Sequence, residues 1–522
     1  MENLISSLSH EKKTNNSLEF ENDEGLNFEI HDGCLLVLDL FNNRTVLNIT
    51  LDILLRYLEA KKKIFVVLVD YDSECFFSNR LKQGDFLLNR AKVRAALESI
   101  GFPAEHVFYM KKLIKYPNFS DAYSSLDDLA KFSYEGLNIG FGVASSLLSN
   151  FENHMPDVHK YEKSIRRLLK ASYGTFKCIE NLIQTPDLNL KMIIVHGGLL
   201  AAQHATLLAC KKWKIPFSIQ TVAGTNNRYI LLANSMPNYD FCSHKNRIKE
   251  YWENAQPIIR KNFAEKWFND RRKKIFQRAK VYIADQIVGK LPEGWDSKKR
   301  NFVLFTSAWV EIILLEDRKL SIHKDECELL ADVASLCQKI EDVHLYIRIH
   351  PHLKGHDNAQ MKALRDLWKT QRSEQCTFIW PEEDIDSYAL IDNAEKVIVY
   401  ASTIGLEANY WGKPVILLGH AEYEDLDCAY FVHNKQELST LMAAKLTPKP
   451  RENSLPYGYF EETYGIPFKF KEKYHKIVLK PKYTWKEFFL YPKIVGKYKL
   501  NLLRHRLKLR KIFNEIFSFL KS

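Results

Sequence analysis

The most constraining feature of this chain is a series of short apolar runs that alternate with stretches of helical spacing. Residues 34–40 and 64–70 are such runs near the amino terminus, and residues 343–349 and 396–400 are later ones. Strands that are buried on both faces of a sheet have this continuous apolar character, and helices must then cover both faces. The pattern therefore predicts an α/β fold with parallel sheets.

The length of 522 residues is more than one hydrophobic core usually serves, so we expect at least two domains. We predict a polar leader at 1–29, a first Rossmann-like domain at 30–290 and a second at 291–448. A return segment with a basic helical tail then occupies 449–522. Two sequential domains of this kind leave a central cleft, which both parallel sheets face, and such clefts are common ligand sites.

Several classes of site are disfavoured by what the sequence lacks. The nine cysteines are scattered without a C-x-x-C pair, and no spaced His/Cys cluster is present, so we predict no metal site and no disulfide framework. The motifs of P-loop enzymes, zinc proteases and serine hydrolases are missing too, and we predict no cofactor. The amino terminus lacks the pattern of a secretory signal, and no apolar run is long enough to span a bilayer. These features predict a cytoplasmic protein.

Polar residues follow two of the apolar runs of the second domain. His350 and Pro351 come after the run 343–349, and Ser402 and Thr403 come after the run 396–400. Nucleotides and phosphates bind at the carboxyl edge of parallel sheets. We therefore expect the His350 imidazole and the two hydroxyls to converge on one anion site from neighbouring strand tips.

The segment from Ser402 to Glu407 has the features of a helix start. Ser402 is a good N-cap, and the first turn offers free N–H groups and a partial positive charge, which suit a phosphate. Gly405 would permit close approach of a ligand, and Glu407 would hydrogen-bond ribose hydroxyls. A capped core helix, packed through its apolar residues, explains the same pattern.

The His350-Pro351 pair has two interpretations as well. The proline prevents the strand from continuing and restricts the backbone of His350, whose imidazole can donate to a phosphate or to a leaving oxygen. An ordinary loop histidine is the alternative. Arg348 is either a phosphate contact or a charge on the strand surface.

The first domain offers weaker candidates for the cleft. His196, Gly197 and Gly198 follow one predicted strand, and Thr221 ends the next, with Thr225 and Arg228 beyond it. A tight structural turn explains the glycine pair equally well. The carboxylates Asp39, Asp70 and Asp72 lie near strand ends, where each can act as a general base and can equally cap a helix or complete a turn. The sequence does not assign the catalytic base.

The stretch Tyr-Ala-Ser-Thr-Ile-Gly-Leu-Glu-Ala-Asn-Tyr-Trp-Gly-Lys-Pro-Val at 400–415, together with His350-Pro351, resembles the bacterial capsule polysaccharide biosynthesis glycosyltransferases. These include capsular Kdo transferases and are related to bacterial sialyl- and polysialyltransferases. The resemblance extends from about residue 301 to residue 444. It implies the GT-B fold and a donor nucleotide held through His350, Ser402 and Thr403. The predicted donor-binding set is Arg348, His350, Pro351, Ser402, Thr403, Gly405 and Glu407. Asp23-Glu24-Gly25 is similar to an acidic motif of the polysialyltransferases, but it lies in the polar leader, and we discount it.

The resemblance implies a metal-independent transfer of sugar from a CMP- or UDP-linked donor. The expected partners are this nucleotide sugar and an acceptor, either a surface or capsular polysaccharide or its lipid-linked precursor. Two alternatives stay open, a nucleotide-sugar 2-epimerase and a non-catalytic scaffold of a polysaccharide assembly complex. The sequence does not distinguish the donor sugar, the acceptor, a retaining from an inverting reaction, or the oligomeric state.

The carboxyl-terminal tail holds most of the net charge of +11. From Lys493 onwards it contains nine basic residues and one acid, interleaved with apolar residues at helical spacing. A basic amphipathic helix is typical of proteins that bind an anionic membrane surface. We therefore expect contact with the inner membrane and none with nucleic acid. A helix packed back on the protein, or a site for a partner subunit, is the alternative.

Overall fold

The computed structural model describes residues 29–39, 44–69, 83–110, 116–119, 123–151, 156–234, 241–275, 283–307, 314, 322–323, 325–371 and 373–471. Several predictions fall outside the described residues. They are those on Asp23-Glu24-Gly25, on Asp70 and Asp72, and on the basic tail from Lys493. The side chain of Asp39 is also outside the described part.

The first sheet is built mainly from the amino-terminal half of the chain. Its strands there are β1 (Cys34–Asp39), β2 (Ile64–Val69), β3 (Val107–Tyr109), β4 (Met192–His196), β5 (Phe217–Val222) and β6 (Arg228–Ala233). The order of the strands in the sheet is β6-β5-β4-β1-β2-β3. The five neighbouring strands β5, β4, β1, β2 and β3 pair in parallel. β6 pairs antiparallel with β5, which corrects the expectation of a wholly parallel sheet. The reason is the short connection between β5 and β6, since only antiparallel neighbours can be joined by a tight turn.

Helices cover both faces of this sheet, as its continuous apolar strands require. They are α1 (Arg44–Glu59), α2 (Gln83–Ser99), α3 (Leu126–Lys131), α4 (Gly140–Phe151), α5 (Glu162–Ile183) and α6 (Ala201–Trp213). Leu36 and Ile194 pack with α1 and α2 on one face. Leu35 and Ile193 pack with α5 and α6 on the other.

The second sheet is parallel throughout its described strands. These are β7 (Arg300–Phe305), β8 (Val343–Arg348), β9 (Cys376–Ile379), β10 (Lys396–Val399), β11 (Val415–Leu417) and β12 (Tyr430–Phe431). Their order is β12-β11-β10-β7-β8-β9. The predicted α/β class, with two sheets of mainly parallel strands, is therefore confirmed.

Helices connect the strands of the second sheet and join the two sheets. The two that precede β7 are α7 (Phe241–Glu253) and α8 (Pro257–Arg272). Those within the second unit are α9 (Glu326–Cys337), α10 (Ala359–Gln371), α11 (Ser387–Asn393), α12 (Thr403–Tyr410) and α13 (Lys435–Ala443). Among the described residues, none of the helices combines the length and apolar character needed to cross a bilayer.

After the second sheet the chain returns to the first. Helix α14 (Leu455–Thr463) packs on α8, where a Cβ on Gly458 would lie only 2.8 Å from the Phe268 ring. Strand β13 (Ile466–Pro467) then pairs antiparallel with β6. Phe470 finally donates its backbone N–H to the buried Asp52 of α1, at 2.8 Å. These contacts attach the carboxyl-terminal part of the described chain to the amino-terminal unit.

Candidate functional site

The candidate site lies at the carboxyl edge of the second sheet. Val399 of β10 and Arg348 of β8 are both in register with Phe305 of β7, which lies between them. Two spacings between strands place the tips of β8 and β10 about 10 Å apart. The residues that follow these tips therefore share one edge, as expected, but their strands are not neighbours. The expectation of adjacent tips was wrong because sequence order does not give the order of strands.

The tip of β7 contributes two hydroxyl residues that were not predicted from the sequence. Thr306 is buried, and its Oγ1 accepts the backbone N–H of His350 at 2.9 Å, which fixes the two tips relative to each other. Ser307 is 8% exposed, and its Oγ has no hydrogen-bond partner among the described residues. A buried hydroxyl without a partner costs about 1–3 kcal/mol, which a ligand would recover. The available signal was a strand followed by hydroxyl residues, the same pattern as at Ser402.

His350 is held as a neutral hydrogen-bond donor. It caps the single 3₁₀ turn Pro351–Leu353, and its Nδ1 accepts the backbone N–H of His352 at 3.1 Å. The proton of the neutral ring is therefore on Nε2. Burial lowers the pKa of His350 to about 4, and the nearby His352 and Arg348 add to this effect, although the residue keeps some exposure. At neutral pH the imidazole can thus donate from Nε2 without a positive charge.

The hydroxyls of Ser402 and Thr403 lie at the start of α12, as predicted. Ser402 is the N-cap, and its Oγ accepts the N–H of Ile404 at 3.5 Å. Its carbonyl accepts the phenol of Tyr423 at 2.7 Å, so the segment is held from both sides. Both hydroxyl residues are half-buried. The first turn of the helix adds N–H groups with a partial positive charge, which favour an anion.

Gly405 faces the sheet rather than a ligand, which corrects one predicted role. A Cβ at this position would lie 2.7 Å from Val399 Cγ2 and 2.8 Å from the hydroxyl of Tyr423. The glycine therefore lets α12 pack closely on β10 and on the chain after β11.

Glu407 is also committed to a structural contact, so we remove it from the donor-binding set. It is 1% exposed and forms an ion pair with Arg271 of α8 at 2.8 Å. Its other carboxylate oxygen accepts the phenol of Tyr388. A buried carboxylate whose two oxygens both accept hydrogen bonds within the protein is not available to ribose hydroxyls. The sequence could not reveal this because both partners are distant along the chain.

Arg348 has neither of the two roles left open by the sequence. It is 2% exposed and donates to the carbonyls of Trp380 at 2.6 Å and Glu383 at 3.0 Å. Burial lowers its pKa to about 10. The side chain anchors the loop that follows β9 through these two carbonyls and is not available to contact a sugar nucleotide. Pro351, predicted as a donor contact, starts the 3₁₀ turn and so orients His350.

The weaker candidates of the first domain gather at the edge of the other sheet. His196 ends β4. The backbone N–H of Gly197 donates to the backbone carbonyl of Gln220 in β5 at 3.1 Å, next to Thr221. Gly197 and Gly198 have φ values of 68° and 90°, which glycine adopts readily. Burial lowers the pKa of His196 to about 4, and its Nδ1 has no partner among the described residues. These residues stay candidates for the cleft.

Thr225 and Arg228 serve the fold. Thr225 is buried, and its hydroxyl bonds to Asn227 within the connection between β5 and β6. Arg228 donates to the carbonyl of Gly465 at 2.7 Å, next to β13. No group of three or more potential metal ligands converges within the described part of the chain.

Comparison with solved structures finds likeness at low identity. The β-Kdo 2,4 transferase KpsC of Thermosulfurimonas dismutans is 14% identical, with 53% of this chain and 81% of that chain covered and a TM-score of 0.36. The UDP-GlcNAc 2-epimerase of Neisseria meningitidis, bound to UDP-GlcNAc, is 13% identical over 81% of this chain and 97% of its own, with a TM-score of 0.28. MurG of Acinetobacter baumannii is 11% identical over 84% and 97%, with a TM-score of 0.26. No curated protein matches the chain.

A family model gives the more specific result. Residues 245–431 match the model of the capsule polysaccharide biosynthesis proteins. This range contains β7 to β12 and all the strand-tip residues of the second sheet described above. The resemblance to capsule polysaccharide biosynthesis proteins that the sequence predicted is therefore confirmed over residues 245–431.

Proposed function

We propose that this protein is a glycosyltransferase of capsule polysaccharide biosynthesis that takes its sugar from a CMP- or UDP-linked donor. The observation that supports this most is the row of groups at the carboxyl edge of the second sheet. It consists of the Nε2–H of His350, the unpartnered hydroxyl of Ser307 and the start of α12 with Ser402 and Thr403. All of them can donate hydrogen bonds to one anion.

Such a row suits the chemistry of glycosyl transfer. When the bond between sugar and phosphate breaks, negative charge develops on the leaving phosphate oxygen. Fixed donors aimed at that charge lower the barrier, and they do so most effectively in a site that is largely screened from water. Hydroxyl, imidazole and helix N–H donors fulfil this role in our proposal, in which the leaving group needs no metal.

A screen of sugar nucleotides tests the proposal, with mass spectrometry of glycan and lipid-linked acceptors as the readout. We expect one CMP- or UDP-linked donor to be consumed only when an acceptor is present, and the acceptor to gain the mass of one sugar. Conversion of the donor into an isomer without any acceptor would instead support the 2-epimerase. Failure to bind either CMP or UDP would support the scaffold.

Ser307→Ala should weaken nucleotide binding without weakening the fold. The hydroxyl has no partner to lose in the free protein, and its removal relieves an unsatisfied buried group, so the free energy of unfolding should stay the same or rise by up to about 1–3 kcal/mol. Loss of one hydrogen bond to a phosphate corresponds to roughly 1.4 kcal/mol, or tenfold in Kd. Calorimetric titration and urea unfolding measure the two quantities. Ser373→Ala, outside the site, is the control, and equal nucleotide affinity in the Ser307 and Ser373 variants would remove Ser307 from the site.

We also propose that the protein is peripheral to the inner membrane, with its basic tail on the anionic lipid surface. This rests on the sequence from Lys493 onwards, which lies outside the described residues. Deleting the chain after Lys493 should abolish cosedimentation with vesicles that contain anionic lipid, since most of the net positive charge is lost. Neutral vesicles are the control. Equal sedimentation of the full and shortened chains would refute the membrane role.

A further inference from the structure

A second imidazole, that of His420, lies at the same edge beside the start of α12. The chain after β11 continues alongside β10, and Gly419 donates its N–H to the carbonyl of Tyr400 at 2.9 Å. Three residues after His420, the phenol of Tyr423 donates to the carbonyl of Ser402 at 2.7 Å. His420 is therefore held between two contacts with the segment that carries Ser402 and Thr403, the hydroxyl residues predicted to donate hydrogen bonds to a phosphate. The strand tips run in the order His420, Ser402, Ser307 and His350.

A carboxylate fixes the orientation of this ring. The Nδ1 of His420 lies 3.0 Å from Oε2 of Glu424, and the backbone N–H of Ala421 donates to the same oxygen at 3.0 Å. Lys245 of α7 binds the other oxygen at 2.5 Å. The carboxylate is 11% exposed and the imidazole is 35% exposed. Phe431 flanks the ring, with 5.3 Å between the ring centroids.

This contact gives His420 the tautomer opposite to that of His350. An ionised carboxylate only accepts hydrogen bonds, so Nδ1 of His420 must carry the proton, and Nε2 of the neutral ring has the free electron pair. In His350 the Nδ1 accepts a backbone N–H and Nε2 carries the proton. One end of the row thus presents an imidazole that donates, and the other end presents one that accepts.

We propose that His420, oriented by Glu424, is the general base that activates the acceptor hydroxyl. An imidazole whose Nδ1–H is bound by a carboxylate is the arrangement in which Nε2 takes a proton and the resulting imidazolium is stabilised. The inference rests on the proposed function, because it assigns the base of that same reaction. The backbones of neighbouring strands are about 5 Å apart, so the side chains of His420 and Ser402 begin at adjacent strand tips.

The proposed step conserves atoms and charge. The acceptor hydroxyl gives its proton to Nε2 of His420, and its oxygen forms a bond to the anomeric carbon. The bond from that carbon to the phosphate oxygen breaks, and the electron pair stays on the phosphate. The Nε2–H of His350 and the hydroxyls of Ser402 and Ser307 donate to this phosphate. The imidazolium of His420 releases its proton to water after the products leave.

The test compares His420→Gln with His433→Gln in the full chain, because His433 is an exposed histidine on the following segment. Turnover at saturating donor and acceptor and the Kd for CMP and UDP are measured for each. We expect turnover of His420→Gln to fall by roughly 10²- to 10⁴-fold, with nucleotide Kd within twofold of the wild type. His433→Gln should match the wild type. Added imidazole should restore part of the activity of His420→Ala.

Other outcomes overturn the inference. If His420→Gln keeps wild-type turnover at saturation but binds the nucleotide or the donor sugar more weakly, His420 contacts the sugar nucleotide and is not the base. Wild-type behaviour in every respect would exclude it from the site, and either result leaves the proposed transferase intact. A wild-type protein that binds no nucleotide and transfers no sugar would contradict the proposed function itself, and the inference with it.

Discussion

His350→Asn should lower transferase turnover by roughly 10²- to 10³-fold while the protein stays folded. Asparagine is a good capping residue, so its side-chain oxygen can still accept the N–H of His352 and keep the 3₁₀ turn. It cannot reproduce the Nε2–H that we assign to the leaving phosphate. Because the pKa of His350 is about 4, the lost group is a neutral donor at pH 7, and the loss of activity should persist from about pH 6 to pH 8.

The measurement is kcat for sugar transfer at saturating donor, with circular dichroism as the check on the fold. His159→Asn is the matched control, since His159 is an exposed histidine of the first unit. This control should retain the full rate. A well-folded His350→Asn protein with the rate of the control would show that the imidazole takes no part in the reaction.

Glu407→Ala should destabilise the protein by about 2–3 kcal/mol, because it removes a buried carboxylate and the hydrogen bonds that this carboxylate accepts, whereas Arg271, with 30% of its side chain exposed, keeps part of its hydration. Glu407 joins α12 to Arg271 of α8, and its carboxylate raises the pKa of that arginine. The substitution also leaves the phenol of Tyr388 without its acceptor. The stacked pair Phe268 and Tyr410 lies on the same two helices, with ring centroids 3.8 Å apart, so the loss would spread into this contact.

Urea unfolding of the full chain measures this effect, and Glu395→Ala is the control. Glu395 also pairs with an arginine, Arg300 at 2.8 Å, but both side chains of that pair are about one-third exposed. Exposed pairs contribute up to about 1 kcal/mol, so the control should lose far less stability. Equal losses in the two variants would mean that the Glu407 pair is no more important than a surface ion pair.

The second sheet could be predicted closely from the sequence because its strands and helices have distinct apolar periodicities. The apolar runs at 343–349 and 396–400 coincide with β8 and β10 to within one residue. Strand order could not be predicted, since it depends on which apolar edges meet in three dimensions. The two-residue β13 is too short for any periodicity, and its partner β6 is far away along the chain.

The candidate site could be predicted only in part, for a related reason. His350 and Ser402 were recognisable because a polar residue directly follows a buried strand. Gly405 and Glu407 are residue types that serve ligands and cores equally well, and their partners Tyr423 and Arg271 come from other parts of the chain. Ser307 was not predicted because hydroxyl residues after a strand are a common pattern, and only the unpartnered burial of Ser307 distinguishes it.

Calorimetric titration of CMP and of UDP into the wild type and into Ser402→Gly tests the central claim most directly. Glycine still permits the helix start at little cost in stability, so the variant removes the hydroxyl and little else. We predict that the wild type binds at least one of the two nucleotides and that Ser402→Gly binds it about tenfold more weakly. Absence of binding to both nucleotides, or an unchanged Kd in the variant, would contradict an anion site at this edge of the second sheet.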